Sequence, residues 1–122
     1  MLIDEILDRI PEKEKRTGVR DGRSRLLPNM LRGYFEDMER VIDSAAQAMP
    51  MGTMMHIVVD QSAYLGVPVP TDLLLADIGR RCALSLERIL VCRPARTSPQ
   101  QEALQPLLKE MLRESVVIFA KS

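Results

Sequence analysis

The apolar positions of this chain fall into alternating helical and extended patterns. Leu2, Ile3, Ile6, Leu7 and Ile10 recur at helical spacing with Asp4, Glu5, Asp8 and Arg9 between them, which predicts a short helix over residues 2–16, interrupted at Pro11. A connection over residues 17–29 is punctuated by Gly18, Gly22 and Pro28 and made basic by Arg20, Arg23 and Arg25. Residues 29–49 carry the strongest pattern. Leu31, Tyr34, Phe35, Met38, Val41, Ile42, Ala45 and Met49 share one face, and Glu36, Asp37, Glu39, Arg40, Asp43 and Gln47 share the other. This predicts an amphipathic helix, capped by Asn29 and ended by Pro50-Met51-Gly52, that packs on a sheet.

The run Met54-Met55-His56-Ile57-Val58-Val59 is continuously apolar apart from its histidine and ends in β-branched residues, as a strand buried on both faces does. It stops at Asp60, and Gln61 to Pro70 reads as a loop. Thr71 is placed to cap a helix through Leu74, Leu75, Ile78 and Cys82, with Asp72 in the first turn, where a negative charge suits the helix dipole. Arg88–Cys92 predicts a second strand, Arg93–Gln101 a polar loop, Ala103–Leu112 a short helix and Ser115–Phe119 a third strand. Strands alternating with helices predict an α/β fold with parallel neighbours. Three strands make a thin sheet, and a first strand this apolar calls for cover on both faces and neighbours on both edges.

Composition narrows this picture without redirecting it. The 122 residues suit one compact unit, and 46% hydrophobic with 28% charged residues is the balance of a chain with a folded core. The formal net charge is zero, so any nucleic-acid contact must come from a local patch. Cys82 and Cys92, with a start unlike a signal peptide, predict a cytoplasmic protein with reduced thiols, each cysteine serving as a small buried hydrophobe. No apolar stretch approaches the about 20 residues of a membrane span, so no membrane partner is expected. The eight methionines read as core filler.

Candidate chemistry is sparse. His56, the single histidine, sits within the first strand pattern and reads as a core or edge residue before it reads as a base. One histidine and two distant cysteines make no metal site, and neither a Gly-x-Gly-x-x-Gly turn, a Walker-type loop nor a nucleophile elbow occurs. Two polar clusters remain. Asp60-Gln61-Ser62 lies just past the carboxyl end of a strand, where open α/β sheets bind ligands, although Asp60 could equally only terminate the strand. The stretch Arg93-Pro94-Ala95-Arg96-Thr97-Ser98-Pro99-Gln100-Gln101 gathers guanidiniums, hydroxyls and amides that suit phosphate and base contacts, and as readily a solvated connection.

From Leu31 onward the order of these features resembles a known family. Gly33-Tyr34-Phe35-Glu36-Asp37-Met38-Glu39-Arg40-Val41 resembles the helix before the fifth strand of DNA modification methylases that methylate amino groups, of the adenine-N6 or cytosine-N4 kind. Ile57-Val58-Val59 followed by Asp60-Gln61-Ser62-Ala63-Tyr64-Leu65-Gly66-Val67 resembles their strand and following loop, and Val69 to Ile78 their next helix. Arg93–Gln101 is similar to their Arg-Thr-Ser-Ser-Gln loop, and Arg113-Glu114-Ser115-Val116-Val117-Ile118-Phe119 to their closing strand. The resemblance covers about the last three quarters of the chain, leaving residues 1–28 as a helix and basic connection before a methyltransferase-like α/β domain over 29–122.

The resemblance implies a partial Rossmann-like methyltransferase sheet of about three strands, the fifth to seventh of seven, with the last antiparallel and helices flanking it. Two departures limit it. The family's glycine-containing loop for S-adenosylmethionine and its Asp/Ser-Pro-Pro-Tyr tetrapeptide, which holds the amine of a flipped base, are both missing. Its Lys-Pro-Gly-Gly turn is weakened to Met49-Pro50-Met51-Gly52. The resemblance therefore implies the C-terminal part of such an enzyme, whether a segment of a longer protein, a split subunit or a degenerate remnant. No residue here takes a catalytic or donor-binding role. S-adenosylmethionine is expected in the complete enzyme and not on this chain alone. Asp60, Gln61, Ser62, Arg93, Arg96, Thr97, Ser98 and Gln100 are the candidate DNA-facing residues, and an N-terminal half is the expected partner. The alternative is a non-catalytic α/β domain that keeps the scaffold and dimerises or binds another partner. An independent nucleic-acid binder using the arginine loops is a third reading, and its affinity would fall steeply with salt.

Overall fold

The computed structural model describes residues 27–64, 67–95, 99, 103, 107 and 111–122. In chain order they form α1 (Leu27–Ala48), β1 (Met54–Asp60), β2 (Ser62–Tyr64), β3 (Val67–Val69), α2 (Thr71–Arg81), β4 (Ser85–Pro94) and β5 (Arg113–Ala120). The helix expected over 2–16, the arginines of the basic connection and most of the helix expected over 103–112 lie outside the described residues.

α1 begins two residues before the expected cap, so Asn29 lies in its first turn instead of capping it. Pro28 is tolerated there because first-turn N–H groups have no intrahelical acceptor to lose. The buried stripe is Leu31, Phe35, Ile42 and Ala46, with Met38 and Met49 partly buried beside it. Tyr34 and Val41, expected on the same face, are exposed. The apolar arc of α1 is therefore wider than the surface that covers it.

The main sheet has the order β1-β5-β4, and β5 pairs antiparallel with both neighbours. β1 and β4 consequently run parallel to each other. This is the expected partial α/β sheet with its last strand antiparallel, and not the wholly parallel one that alternation alone suggests. β5 lies in the middle, and Val117, Ile118 and Phe119 are buried on both of its faces. β1 was expected to be the doubly buried strand, and it is not. It lies at an edge, with Met55, Ile57 and Val59 turned to the core and Met54, His56, Val58 and Asp60 exposed. Val58 is 76% exposed. His56 is thus an edge-strand histidine.

α2 lies over all three strands, and α1 packs chiefly on α2. One core joins Leu31, Phe35 and Ile42 of α1, Leu74, Leu75 and Ile78 of α2, Val67 and Val69 of β3, and Val59, Val117 and Phe119 of the sheet. The segment expected as a loop after Asp60 contains a second, two-stranded sheet, with Ser62 opposite Val69 and Tyr64 opposite Val67. α2 starts at Thr71, but the hydroxyl of Thr71 does not cap it. That side chain turns back to the Val69 carbonyl at 3.5 Å, and Pro70 occupies the cap position. Among the described residues no helix is long and apolar enough to cross a membrane.

Two compositional expectations change. Met30, Met51, Met54 and Met111 are exposed and Met38, Met49 and Met55 only partly buried, so methionine lines surfaces here more than it fills the core. Cys92 lies on the exposed outer strand β4 and is no buried hydrophobe, whereas Cys82 packs partly buried at the end of α2. Burial, followed by the nearby Asp43 and Glu39 carboxylates, pushes the Cys82 thiol up against the smaller opposing influence of Arg81. A thiol reagent at neutral pH should therefore label Cys92 at least about tenfold faster than Cys82. Cys92→Ser should remove the fast phase. Two equal rates would show that the end of α2 does not hold Cys82 against α1.

Candidate functional site

The carboxyl ends of β1 and β4 open on the same end of the sheet, which is where α/β sheets place their ligands. The strand registers set Asp60, Glu114 and Arg93 side by side in one row across β1, β5 and β4. They line a hollow of about 390 Å³ together with Gln61, Pro94 and Ala95. Asp60 and Gln61 of the first polar cluster and Arg93 of the second, far apart in sequence, thus meet in one place.

Within the row, the Arg93 guanidinium makes a two-pronged ion pair with Glu114, Nε donating to Oε2 and a terminal nitrogen donating to Oε1 at 3.2 Å. The hydrogen bonds and charge of Glu114 raise the arginine's already high pKa further, so Arg93 stays cationic at any working pH. Asp60 is exposed at the end of the row. It also borders a second hollow, of about 230 Å³, whose α1 wall is Met30, Leu31, Tyr34 and Phe35 and which Ser62 lines from β2. The arrangement offers a carboxylate that accepts hydrogen bonds from hydroxyl or amino groups, beside a guanidinium already engaged by its own carboxylate.

Gln61 differs from its neighbours. It is buried, and its amide turns away from the hollow to donate to Asp72 Oδ1 at 2.8 Å. Asp72, at 0% exposure, is the centre of a network under the site. Its Oδ1 also accepts the Leu73 N–H at 2.8 Å, and its Oδ2 accepts Arg113 Nε at 2.9 Å and Ser115 Oγ at 2.8 Å. Burial pushes this carboxyl up, but the hydrogen bonds from Arg113, Ser115 and Gln61 and the Arg113 charge outweigh burial and hold it below the usual carboxylate range. Every buried side-chain nitrogen or oxygen among the described residues has a partner.

Of the residues singled out in the sequence, the structure gathers Asp60, Gln61 and Arg93 around one hollow and places Ser62 on the rim of the other. Arg96, Thr97, Ser98 and Gln100 lie outside the described residues. Glu114, Arg113 and Ser115 were read only as part of a strand, and Asp72 only as a dipole partner. The signal for Asp72 was present, since it shares a helical stripe with Leu75, Ala76 and Gly79, all buried. Among the described residues, no three His, Cys, Asp or Glu side chains cluster as a metal site would need.

Comparison with known proteins gives one relationship. Over 95 residues, 78% of this chain, the sequence is 27% identical to the Type II methyltransferase M.AvaI of Nostoc sp. and, to the same extent, to that of Anabaena variabilis. The chain spans about a fifth of the length of these curated relatives, the match covering 20% of each. No family model matches the chain, and no solved structure matches it.

Proposed function

We propose that this chain is the C-terminal portion of an S-adenosylmethionine-dependent DNA modification methyltransferase and acts only together with an N-terminal portion. The observation that carries this reading is β1, whose apolar residues would suit the interior of a larger sheet and which here forms an edge with Val58 and Met54 exposed. The similarity to a fifth of a Type II methyltransferase supports the same reading. The amino-methylating type, adenine-N6 or cytosine-N4, rests on the order of motifs from Gly33 to Phe119.

Among the described residues no glycine lines either hollow, and donor binding and the transfer step are assigned to the N-terminal portion. The contribution of this chain is the wall of the site at Asp60–Ser62 and a DNA-contacting role for Arg93 and, from the sequence alone, for Arg96, Thr97, Ser98 and Gln100. An enzyme of this kind works on DNA inside the cell, in keeping with the cytoplasmic location read from the cysteines.

The test is to mix the full chain with the Nostoc sp. methyltransferase from which the matched segment has been deleted, and to follow methyl transfer from labelled S-adenosylmethionine to DNA. Either component alone should be inactive, and the mixture should restore transfer. A mixture that neither assembles nor methylates refutes the reading. A stable homodimer indifferent to the truncated enzyme would favour a non-catalytic dimerising domain.

A further inference from the structure

Arg93 reaches its place in the row through an irregularity of its own strand. β4 shifts register between Val91 and Arg93, so that Val91 pairs with Ser115, Arg93 pairs with Glu114, and Cys92 is the extra residue. In an unbroken ladder Cys92 would stand opposite Glu114. Arg93 would then fall opposite Arg113, on the face where Arg113 meets Asp72 of α2. The bulge turns Arg93 to the other face and sets it beside Glu114, in the way bulges re-aim side chains next to functional sites.

What the guanidinium meets there limits what else it can bind. Its Nε and one terminal nitrogen both donate to the Glu114 carboxylate. Those N–H groups form one of the forks that arginine offers a phosphate. The Arg93 side chain stays 72% exposed, while that of Glu114 is 25% exposed and is the more firmly held of the two. Asp60 stands on the far side of Glu114, directly opposite it across the β1–β5 ladder. Among the described residues the row thus brings two carboxylates to one guanidinium, a net negative charge. A phosphate entering here would find one fork of Arg93 taken and two carboxylates to repel it. A neutral acceptor, such as the edge of a base, meets no such repulsion and can take the remaining N–H groups of Arg93.

We propose that Glu114 is a specificity-determining residue: by occupying a fork of Arg93 beside Asp60, it withholds this end of the sheet from DNA phosphates and leaves it to neutral base edges. This rests on the DNA role proposed above. Phosphate contacts add affinity for every sequence, whereas contacts to base edges discriminate between sequences. An exposed arginine without its carboxylate would add to the first kind. Paired with Glu114, Arg93 keeps its position and its charge but adds no net positive charge to the surface, so it draws DNA to the site weakly until a base edge is in reach.

The test measures binding of a short DNA duplex of random sequence by the full chain mixed with the truncated Nostoc sp. enzyme, over a range of salt. Glu114→Gln keeps the shape of the side chain and removes its charge. It should tighten binding at least about fivefold at low salt and steepen the salt dependence by one phosphate contact, a change in slope of about 0.9. The gain should vanish when Arg93→Gln is added. Glu87→Gln, the same change of charge elsewhere on β4, should tighten binding less than about twofold. A purely structural ion pair would change melting and leave these ratios alone. A gain no larger than that of Glu87→Gln, or one that persists without Arg93, overturns the proposal. If Glu114→Gln does not fold, Arg93→Gln alone decides. A loss of about fivefold or more shows that Arg93 already grips phosphate and overturns the proposal, and a smaller change supports it. Restored methyl transfer beside either overturning result leaves the functional reading intact. A mixture that neither binds duplex DNA nor methylates it overturns both.

Discussion

Asp72→Ala should lower the stability of the fold by about 3 kcal/mol, toward the lower end of what breaking a buried ion pair costs because Arg113 keeps about a third of its exposure. The carboxylate accepts four hydrogen bonds, from Gln61, Leu73, Arg113 and Ser115, and alanine would leave the Gln61 amide and the Ser115 hydroxyl buried without it. For a domain of this size the melting temperature should fall by about 10 °C. Asp72→Asn keeps the shape and loses the charge, and should cost less than the alanine. Urea melts at neutral pH measure both. The same carboxyl makes stability depend on acid. Its pKa is depressed in the folded chain, so its contribution is complete above the unfolded value of about 3.9 and is lost as the pH falls through the lower folded value. Melts repeated from pH 6 down to pH 2 should show this loss in the native chain and a flatter profile in Asp72→Asn. Equal slopes would mean that the network is not held by charge.

Gly79→Ala is the second large effect, and its direction opposes helix propensity. Alanine in a helix interior is ordinarily favoured over glycine by about 1 kcal/mol. Gly79, however, faces the ring of Phe119, and a Cβ added there would overlap the ring atoms Cδ1, Cε1 and Cζ. Phe119 is fully buried at the centre of the core, so its ring has nowhere to move without displacing neighbours. Overpacking typically costs about 1–3 kcal/mol, and overlap with three ring atoms puts this case in the upper part of that range, so that after the propensity gain the net change should be a destabilisation of about 1–2 kcal/mol. Phe119→Leu alone should also destabilise. The double variant should be more stable than the sum of the two single changes predicts, because leucine makes room for the new methyl group. Strict additivity would show that the close approach of α2 to β5 is not what fixes glycine at this position.

The parts of this fold that were legible in the sequence are those with a strong local period. The stripe Leu31, Phe35, Met38, Ile42 defines α1 because a helix that packs must repeat its apolar residues at 3.6. Thr71–Arg81 is legible for the same reason. The β2–β3 pair was not, since three-residue strands that hold Pro68 and adjoin Gly66 give no usable alternation. β1 shows a different limit. Its composition suggests a strand for the interior of a sheet, but composition does not say which neighbours a strand has, and Val58 is exposed where its β-branched side chain suggested burial. The candidate site divides similarly. Asp60 and Arg93 could be chosen by their positions after apolar runs, whereas their juxtaposition depends on β5 lying between them, an arrangement that no local pattern encodes. Asp72 was visible as a charge in a first turn, and its burial became clear only with Arg113 and Ser115 brought opposite it from 41 and 43 residues away.

The central place of β5 also sets an order of events. Among the described residues, β1 and β4 do not pair with each other, and each finds its strand partner in residues 113–120. While the chain is being synthesised, α1, β1, α2 and β4 can all have left the ribosome with no sheet to join, their apolar faces gathered only by the helices. Closing the sheet then requires β5 to insert between two strands already present, pairing with β1 across some sixty residues of chain. Until that insertion both strands expose pairing edges, and β1, with no charge or proline along its apolar run, is the segment on which a nascent chain would first meet a neighbour.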